Sequence, residues 1–171
     1  MQRASDFLGM PVALTGGARV GQIRDLLLDL PRRRVVALAL ERPDTLLAPV
    51  NHSIEDDTIL LDREEQLAKG QVAKRMARGT TSYLHLRNLA VVNPKGRTVG
   101  QVEDVILHGA TLLGLEIGDG LLHDLVNGRG YIPLVAEILI AQGKIVVEDQ
   151  EEDYPVPWPW SNSQDNARYP M

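Results

Sequence analysis

The chain has 171 residues, with 18 basic and 23 acidic side chains, a net charge of −5 and no cysteine. The missing thiols exclude disulfides, cysteine-ligated metal centres and thiol catalysis, and favour a reducing compartment. Apolar residues make up 44% and aromatics 4%, so a folded interior must be filled by Leu, Val and Ile.

The charge is unevenly placed. From residue 148 onward there are six acidic side chains and one basic, whereas residues 1–147 carry 17 of each sign. A nucleic-acid binder normally shows a basic excess over its binding domain, so the balance disfavours such a partner. The N-terminal residues lack the apolar core of a signal peptide. The longest aliphatic run, Val35 to Leu40, is far short of the roughly 18 residues a membrane span needs. The expectation is a cytoplasmic protein without membrane insertion.

In chain order, short apolar runs alternate with turn formers. Thr15-Gly16-Gly17, Pro31-Arg32-Arg33, Arg42-Pro43-Asp44 and Glu55-Asp56-Asp57 punctuate the first part, and Asn93-Pro94-Lys95-Gly96 and Asn127-Gly128 the last. Strands at roughly 8 to 12 residue spacing predict an all-β barrel or sandwich. Within the longest strand, Val20, Ile23, Leu26 and Leu28 do not alternate. This predicts a bulge where Gly21, and Gly100 in the second half, begin the irregularity, glycine tolerating the positive φ of one common bulge type; the alternative is that the glycine merely ends a turn.

The strand recurs. Gly17 to Asp29 lies on Gly96 to His108 at a constant offset of 79, with six of thirteen positions identical and three aliphatic exchanges. Flanking segments follow: Leu8–Val12 on Arg87–Val91, Val36–Leu38 on Leu113–Leu115, Pro49-Val50 on Pro133-Leu134, and Ile59–Leu61 on Ile145–Val147. Each half therefore repeats one plan of about five strands.

Between the halves, Asp62 with Glu65 three residues on resembles a capping box. Lys74, Arg75, Arg78 and then Gly79 suit a helix end. A linker helix is expected, with Leu67, Val72 and Met76 lying against a barrel. In the second half, Leu121, Leu122 and their neighbours form an apolar insertion, which either packs down or offers a contact patch. The tail ends in an acidic run and then Tyr154-Pro155-Val156-Pro157-Trp158-Pro159-Trp160. Its tryptophans either anchor in a partner's pocket or fold back on the barrels.

Both halves resemble the PRC-barrel family. The resemblance rests on Asp6-Phe7-Leu8-Gly9-Met10-Pro11-Val12, Val20-Gly21-Gln22-Ile23-Arg24-Asp25-Leu26 and Leu47-Ala48-Pro49. It rests equally on the second set, Val99-Gly100-Gln101-Val102-Glu103-Asp104-Val105 and Tyr131-Ile132-Pro133. The second half departs at Arg87-Asn88, where the first has Leu8-Gly9. The resemblance implies an all-β chain with a minor helical linker: a first barrel over 1–62, a linker over 63–82, a second barrel over 83–149 and a tail over 150–171. It also implies a docking or assembly module with no shared active site, in a family that includes the photosynthetic reaction centre's cytoplasmic subunit and a ribosome-maturation factor. A ribosome-associated role, or one as cytoplasmic accessory of a membrane or photosynthetic complex, are the alternatives it admits.

Other chemistry finds little support. His52, His85, His108 and His123 lack helical metal-ligand spacing, although His123 adjoins Asp124, and no phosphate-binding glycine loop or nucleophile elbow occurs. Asp25 and Asp104 are the repeated carboxylates. Because each occupies one place in one repeat, a strand-end hydrogen-bonding role is expected rather than a paired-acid mechanism. No catalytic, metal or cofactor residue is named, and no cofactor is called for. The structural positions are Gly21, Asp25, Pro49, Gly100, Asp104 and Pro133. The partner-binding candidates are Tyr154, Trp158, Trp160, Leu121 and Leu122, for a protein partner or a second copy in a homo-oligomer.

Overall fold

A computed structural model describes residues 1–49, 53–55, 57–118, 130–134, 139–147 and 156–157. In the first repeat, β1 (Gln2–Arg3) and a 3-10 turn (Ala4–Phe7) lead into five longer-range elements of a sheet. These are β2 (Pro11–Leu14), β3 (Arg19–Asp29), β4 (Arg34–Leu40), β5 (Thr45–Leu47) and the hairpin of β6 (Ser53–Glu55) and β7 (Thr58–Leu61). The linker holds a 3-10 turn (Glu64–Gln66), β8 (Leu67–Lys69) and α1 (Gly70–Met76). The second repeat begins with β9 (Thr81–Ser82), α2 (Tyr83–Leu86), β10 (Ala90–Val92), β11 (Thr98–His108) and β12 (Thr111–Gly118). It continues with β13 (Gly130–Pro133), β14 (Leu139–Ala141) and β15 (Lys144–Val146), and β16 (Val156–Pro157) follows in the tail. The fold is all-β with a minor helical linker. By compactness, one unit takes in the described residues of 1–87 and 104–113, and the other those of 88–103 and 114–171.

In the first unit the strand order is β6-β7-β2-β3-β4. The pair β2–β7 runs parallel, with Val12 opposite Ile59, while β2–β3 and β3–β4 are antiparallel. Two irregularities explain the broken alternation in β3. The ladder with β2 skips Val20, and the ladder with β4 passes from Ile23 to Asp25 while its partner advances one residue. The second skip puts Ile23 and Leu26 on the same buried side although they are three residues apart. Phe7, Val12, Ile23, Leu26, Leu28, Leu38, Leu47, Ile59 and Leu61 are all buried.

The linker departs from the expected single helix. Leu67–Lys69 is extended and adds to β5, pairing Leu47 with Leu67 and Thr45 with Lys69, because the open edge of β5 offers ladder bonds and a site for the Leu67 side chain. The turn before it is closed by the Arg63 N–H donating to Gln66 Oε1 at 2.9 Å, not by Asp62 and Glu65. The helix starts only at Gly70, whose φ of +55° turns the chain out of the strand. It rests on the sheet through Ala73, beside Ala37 and Leu46, with Met76 partly buried, while Val72 faces solvent. Lys74 and Arg75 lie in its last turn, and Gly79 (φ +71°) follows in the left-handed region.

The second unit has the strand order β14-β15-β10-β11-β12-β13. The parallel pair is β10–β15, with Val91 opposite Ile145, matching Val12 opposite Ile59. The β10–β11 ladder skips Val99, as the earlier ladder skips Val20. Even the divergent start is reconciled. Gly9 (φ +79°) and Asn88 (φ +70°) share the left-handed conformation, which Asn tolerates, and each N–H donates at 2.8 Å to an offset-related oxygen, Ile23 O and Val102 O. The β14–β15 hairpin turns through Gln142 and Gly143, both at positive φ.

Two expectations for the repeated residues need correction. Gly21 has no positive φ, and a Cβ there would meet Leu40 Cδ2 at an ordinary 3.5 Å. Gly100 has a φ of +159°, at the edge of extended backbone, and close approach is what requires the glycine: a Cβ would fall 2.5 Å from Ile117 Cγ2 and 2.8 Å from Gly118 O. Pro49 and Pro133 are not ladder equivalents. Pro133 ends β13 opposite Gly114, whereas Pro49 lies two residues past the end of β5, since Leu38 pairs with Leu47 but Leu115 with Ile132.

Candidate functional site

The sequence singles out Asp25 and Asp104, and the structure shows what their carboxylates hold. Asp25 Oδ1 accepts hydrogen bonds from the Leu26 N–H (2.8 Å) and the Leu84 N–H (3.1 Å), and its Oδ2 accepts from Ser82 Oγ (2.5 Å). Asp104 Oδ1 accepts from the Val105 N–H (2.7 Å) and the Ser5 N–H (3.2 Å). Ser82 Oγ also accepts from the His85 N–H at 3.2 Å, capping α2. The contacts are related by the offset of 79: Ser5 maps to Leu84, and Asp104 to Asp25.

The same relation governs the backbone. β9 adds to β3 with Ser82 opposite Leu27 and Thr81 opposite Leu28, and β1 adds to β11 with Arg3 opposite Ile106 and Gln2 opposite Leu107. Each repeat thus lays its leading segment on the long strand of the other repeat, and every residue involved belongs to the first compact unit. Ala4 and Phe7 anchor one segment, Tyr83 and Leu86 the other, all buried. The hairpin tips meet in the same reciprocal fashion. Arg34 stands opposite Thr111, the Val35 N–H donates to Ala110 O (2.7 Å), and the Leu112 N–H donates to Arg33 O (2.9 Å).

Three further features surround these segments. The Tyr83 hydroxyl is fully buried and has no hydrogen-bond partner among the described residues, and burial, with the Asp104 carboxylate beside it, pushes its pKa above the usual phenol range. Asp29, at the start of the Pro31-Arg32-Arg33 turn, accepts from the Arg32 N–H and guanidinium (both 3.1 Å) and lies 3.5 Å from Arg34 Nε. Burial opposes ionisation there, but these hydrogen bonds and the two guanidinium charges outweigh it and hold the carboxyl below its usual range. The arginine tip is therefore partly engaged in its own turn. A shallow, largely apolar hollow of about 110 Å³ is lined by Phe7, Leu26, Leu38, Ile54 and Leu107 among others. It is small beside the roughly 300–1,000 Å³ of small-molecule pockets.

Tyr154, Trp158, Trp160, Leu121, Leu122, His52 and His123 lie outside the described residues. The tail is represented by the backbone of β16, which pairs antiparallel with β13, Val156 opposite Tyr131 and Pro157 opposite Gly130. His85 and His108 are exposed, and among the described residues no three potential ligands gather as a metal site. No helix among the described residues is long and apolar enough to cross a membrane. The leading segments escape sequence reasoning because they are held largely through backbone N–H donors, which leave no residue signature. The one usable trace is the apolar pair Phe7 and Leu86 at the repeat offset.

A family model for the PRC-barrel domain matches residues 1–67 and 82–154. The chain belongs to the PRC-barrel family. The two matched segments make it a tandem PRC-barrel protein, and the family is one of non-catalytic domains. No curated protein matches the chain.

Proposed function

We propose that this tandem PRC-barrel protein is a non-enzymatic interaction or assembly module working in the cytoplasm. The reading is carried by one observation: the sheet edges of the fold take up extended segments by strand addition. β9 on β3, β1 on β11 and β16 on β13 are three instances in one chain. Strand addition is a general mode of peptide recognition, in which ladder bonds give affinity and side-chain anchors give specificity. The repeated carboxylates serve the same purpose, since Asp25 and Asp104 accept from backbone donors of the added segments. In this reading Trp158 and Trp160, placed directly after β16, anchor the tail's contact with a partner.

The test is affinity capture from the native cell with the intact chain and with a chain ending at Val147, identified by mass spectrometry. A protein retained reproducibly by the intact chain, and lost with Trp158→Ala and Trp160→Ala, supports the proposal and the tail's part in it. Retention by neither bait would overturn both.

A further inference from the structure

We propose that the stretch from Lys69 to Arg87 is a docking strip by which the chain adsorbs, without insertion, to an anionic lipid bilayer. The inference stands apart from strand addition and starts from the placement of charge. Residues 66–87 hold five basic side chains and no acidic one, which leaves 13 basic and 23 acidic side chains for the rest of the chain. This local excess lies wholly in the first compact unit, on the segment that leads into the second repeat.

The fold turns the segment outward. α1 rests on the sheet through Ala73, Met76 and Ala77, so Val72, Arg75 and Arg78, spaced three apart, share its solvent side. The Arg78 N–H donates to Arg75 O at 3.3 Å and carries the helical turn that far. α2 is fixed by the buried Tyr83 and Leu86 and exposes Leu84, with Arg87 exposed directly after it. Five residues separate Arg78 from Leu84, a span of about 22 Å at most. Lys69 and Lys74 are paired with Glu64 (2.6 Å) and Asp44 (3.3 Å), whereas Arg75, Arg78 and Arg87 have no ion-pair partner among the described residues. Asp25, which reaches the strip at the Leu84 amide, is engaged in three hydrogen bonds.

Three unpaired guanidinium groups call for an anionic partner, and the aliphatic side chains beside them decide its kind. Val72 is 54% exposed and Leu84 45%. At a bilayer surface both bury apolar area in the boundary between head groups and acyl chains while the arginines meet the anionic head groups. Nucleic acid has no such use for them, and the strip's one aromatic, Tyr83, is fully buried, so no base can stack on it. Neither Val72 nor Leu84 lines the apolar hollow beside Phe7; both stand out from short helices, which suits a flat partner better than a bound peptide.

The test is sedimentation of the full chain with vesicles of phosphatidylcholine and of phosphatidylcholine mixed with phosphatidylserine, at low and high salt. The chain should sediment with the mixed vesicles alone, and high salt should release it. Each cation near such a surface contributes about fivefold in affinity, so Arg75→Gln with Arg78→Gln should weaken binding roughly thirtyfold. Leu84→Ser should weaken it further at either salt concentration, with Val72→Ser taking its place if Leu84→Ser lowers the melting temperature. Equal binding to the uncharged vesicles, no binding to the mixed ones, or a double arginine variant that binds as the wild type does overturns the inference. Tighter binding to single-stranded RNA or to polyglutamate than to the mixed vesicles, indifferent to Leu84→Ser, also overturns it. None of these results bears on the capture of a protein through the tail, so the two proposals fall separately.

Discussion

Replacing Asp25 with Ala removes the acceptor for three donors at once: the Leu26 and Leu84 amides and the Ser82 hydroxyl. A donor left unpaired in a buried position costs about 1–3 kcal/mol, and more when the lost acceptor was charged. Leu26 is fully buried, whereas the Leu84 side chain is exposed and its amide can recruit water. The expected loss is therefore about 2–4 kcal/mol rather than the sum of three full penalties. For a chain of this size that corresponds to roughly 4–16 °C in the melting temperature. Asp25→Asn retains one acceptor oxygen for both amides and can donate its own N–H to Ser82 Oγ, so about 1 kcal/mol or less is expected. Urea denaturation followed by circular dichroism gives both values. A double-mutant cycle with Ser82→Ala should return a coupling of about 1 kcal/mol. An Asp25→Ala chain within about 0.5 kcal/mol of wild type would refute the reasoning. So would an Asn variant as damaged as the Ala variant.

Gly100→Ala should lose about 2–3 kcal/mol in the same assay, because the added methyl meets a backbone oxygen that cannot swing away. Gly21→Ala, at the matching position but with only an ordinary contact, should stay within about 1 kcal/mol of wild type. Tyr83→Phe deletes a buried hydroxyl that has no partner among the described residues, so stability near neutrality should hold or rise by about 1 kcal/mol. The unfolded chain ionises this phenol near pH 10 while the folded chain keeps it protonated, so wild-type stability falls above that pH and the Phe variant should lose that part of the fall in an alkaline denaturation series. Asp29 behaves in the opposite sense. Its lowered native pKa contributes stability above about pH 4 that disappears as the pH drops through the native value, and Asp29→Asn should flatten that part of the acid limb.

The duplication was legible in the sequence because strand and turn chemistry are written in side chains. Gly17 and Gly96 both sit at positive φ and close equivalent turns, their N–H groups donating to Leu14 O and Asn93 O. Ile59 and Ile145 occupy equivalent parallel ladders, as their alignment predicts. The pattern predicts the bulge but not what each glycine does there, since pattern alone cannot tell Gly21, with neither a positive φ nor a close contact, from Gly100, where a Cβ has no room. The first half of the linker is not legible, because Leu67-Ala68-Lys69 has helical propensity but tertiary pairing with β5 overrides it. The exchange of leading segments was invisible for a different reason. The bonds that Asp25 and Asp104 accept from those segments run between residues 57 to 99 positions apart, and these and the ladder bonds are made mostly by amides, which every non-proline residue possesses.

That separation has a consequence for synthesis. When the first repeat leaves the ribosome, β3 still lacks the strand that will flank it, because Thr81 and Ser82 are yet to be made. The arm at Gln2 and Arg3 waits longer still, until Leu107 has emerged. The first half therefore cannot reach its final form during its own translation, and its closure must wait for segments that emerge later, first Thr81 and Ser82 and then Ile106 and Leu107. A nonsense codon before Thr81 would thus release a first half whose β3 edge is unsatisfied, the state in which nascent β proteins are most exposed to aggregation.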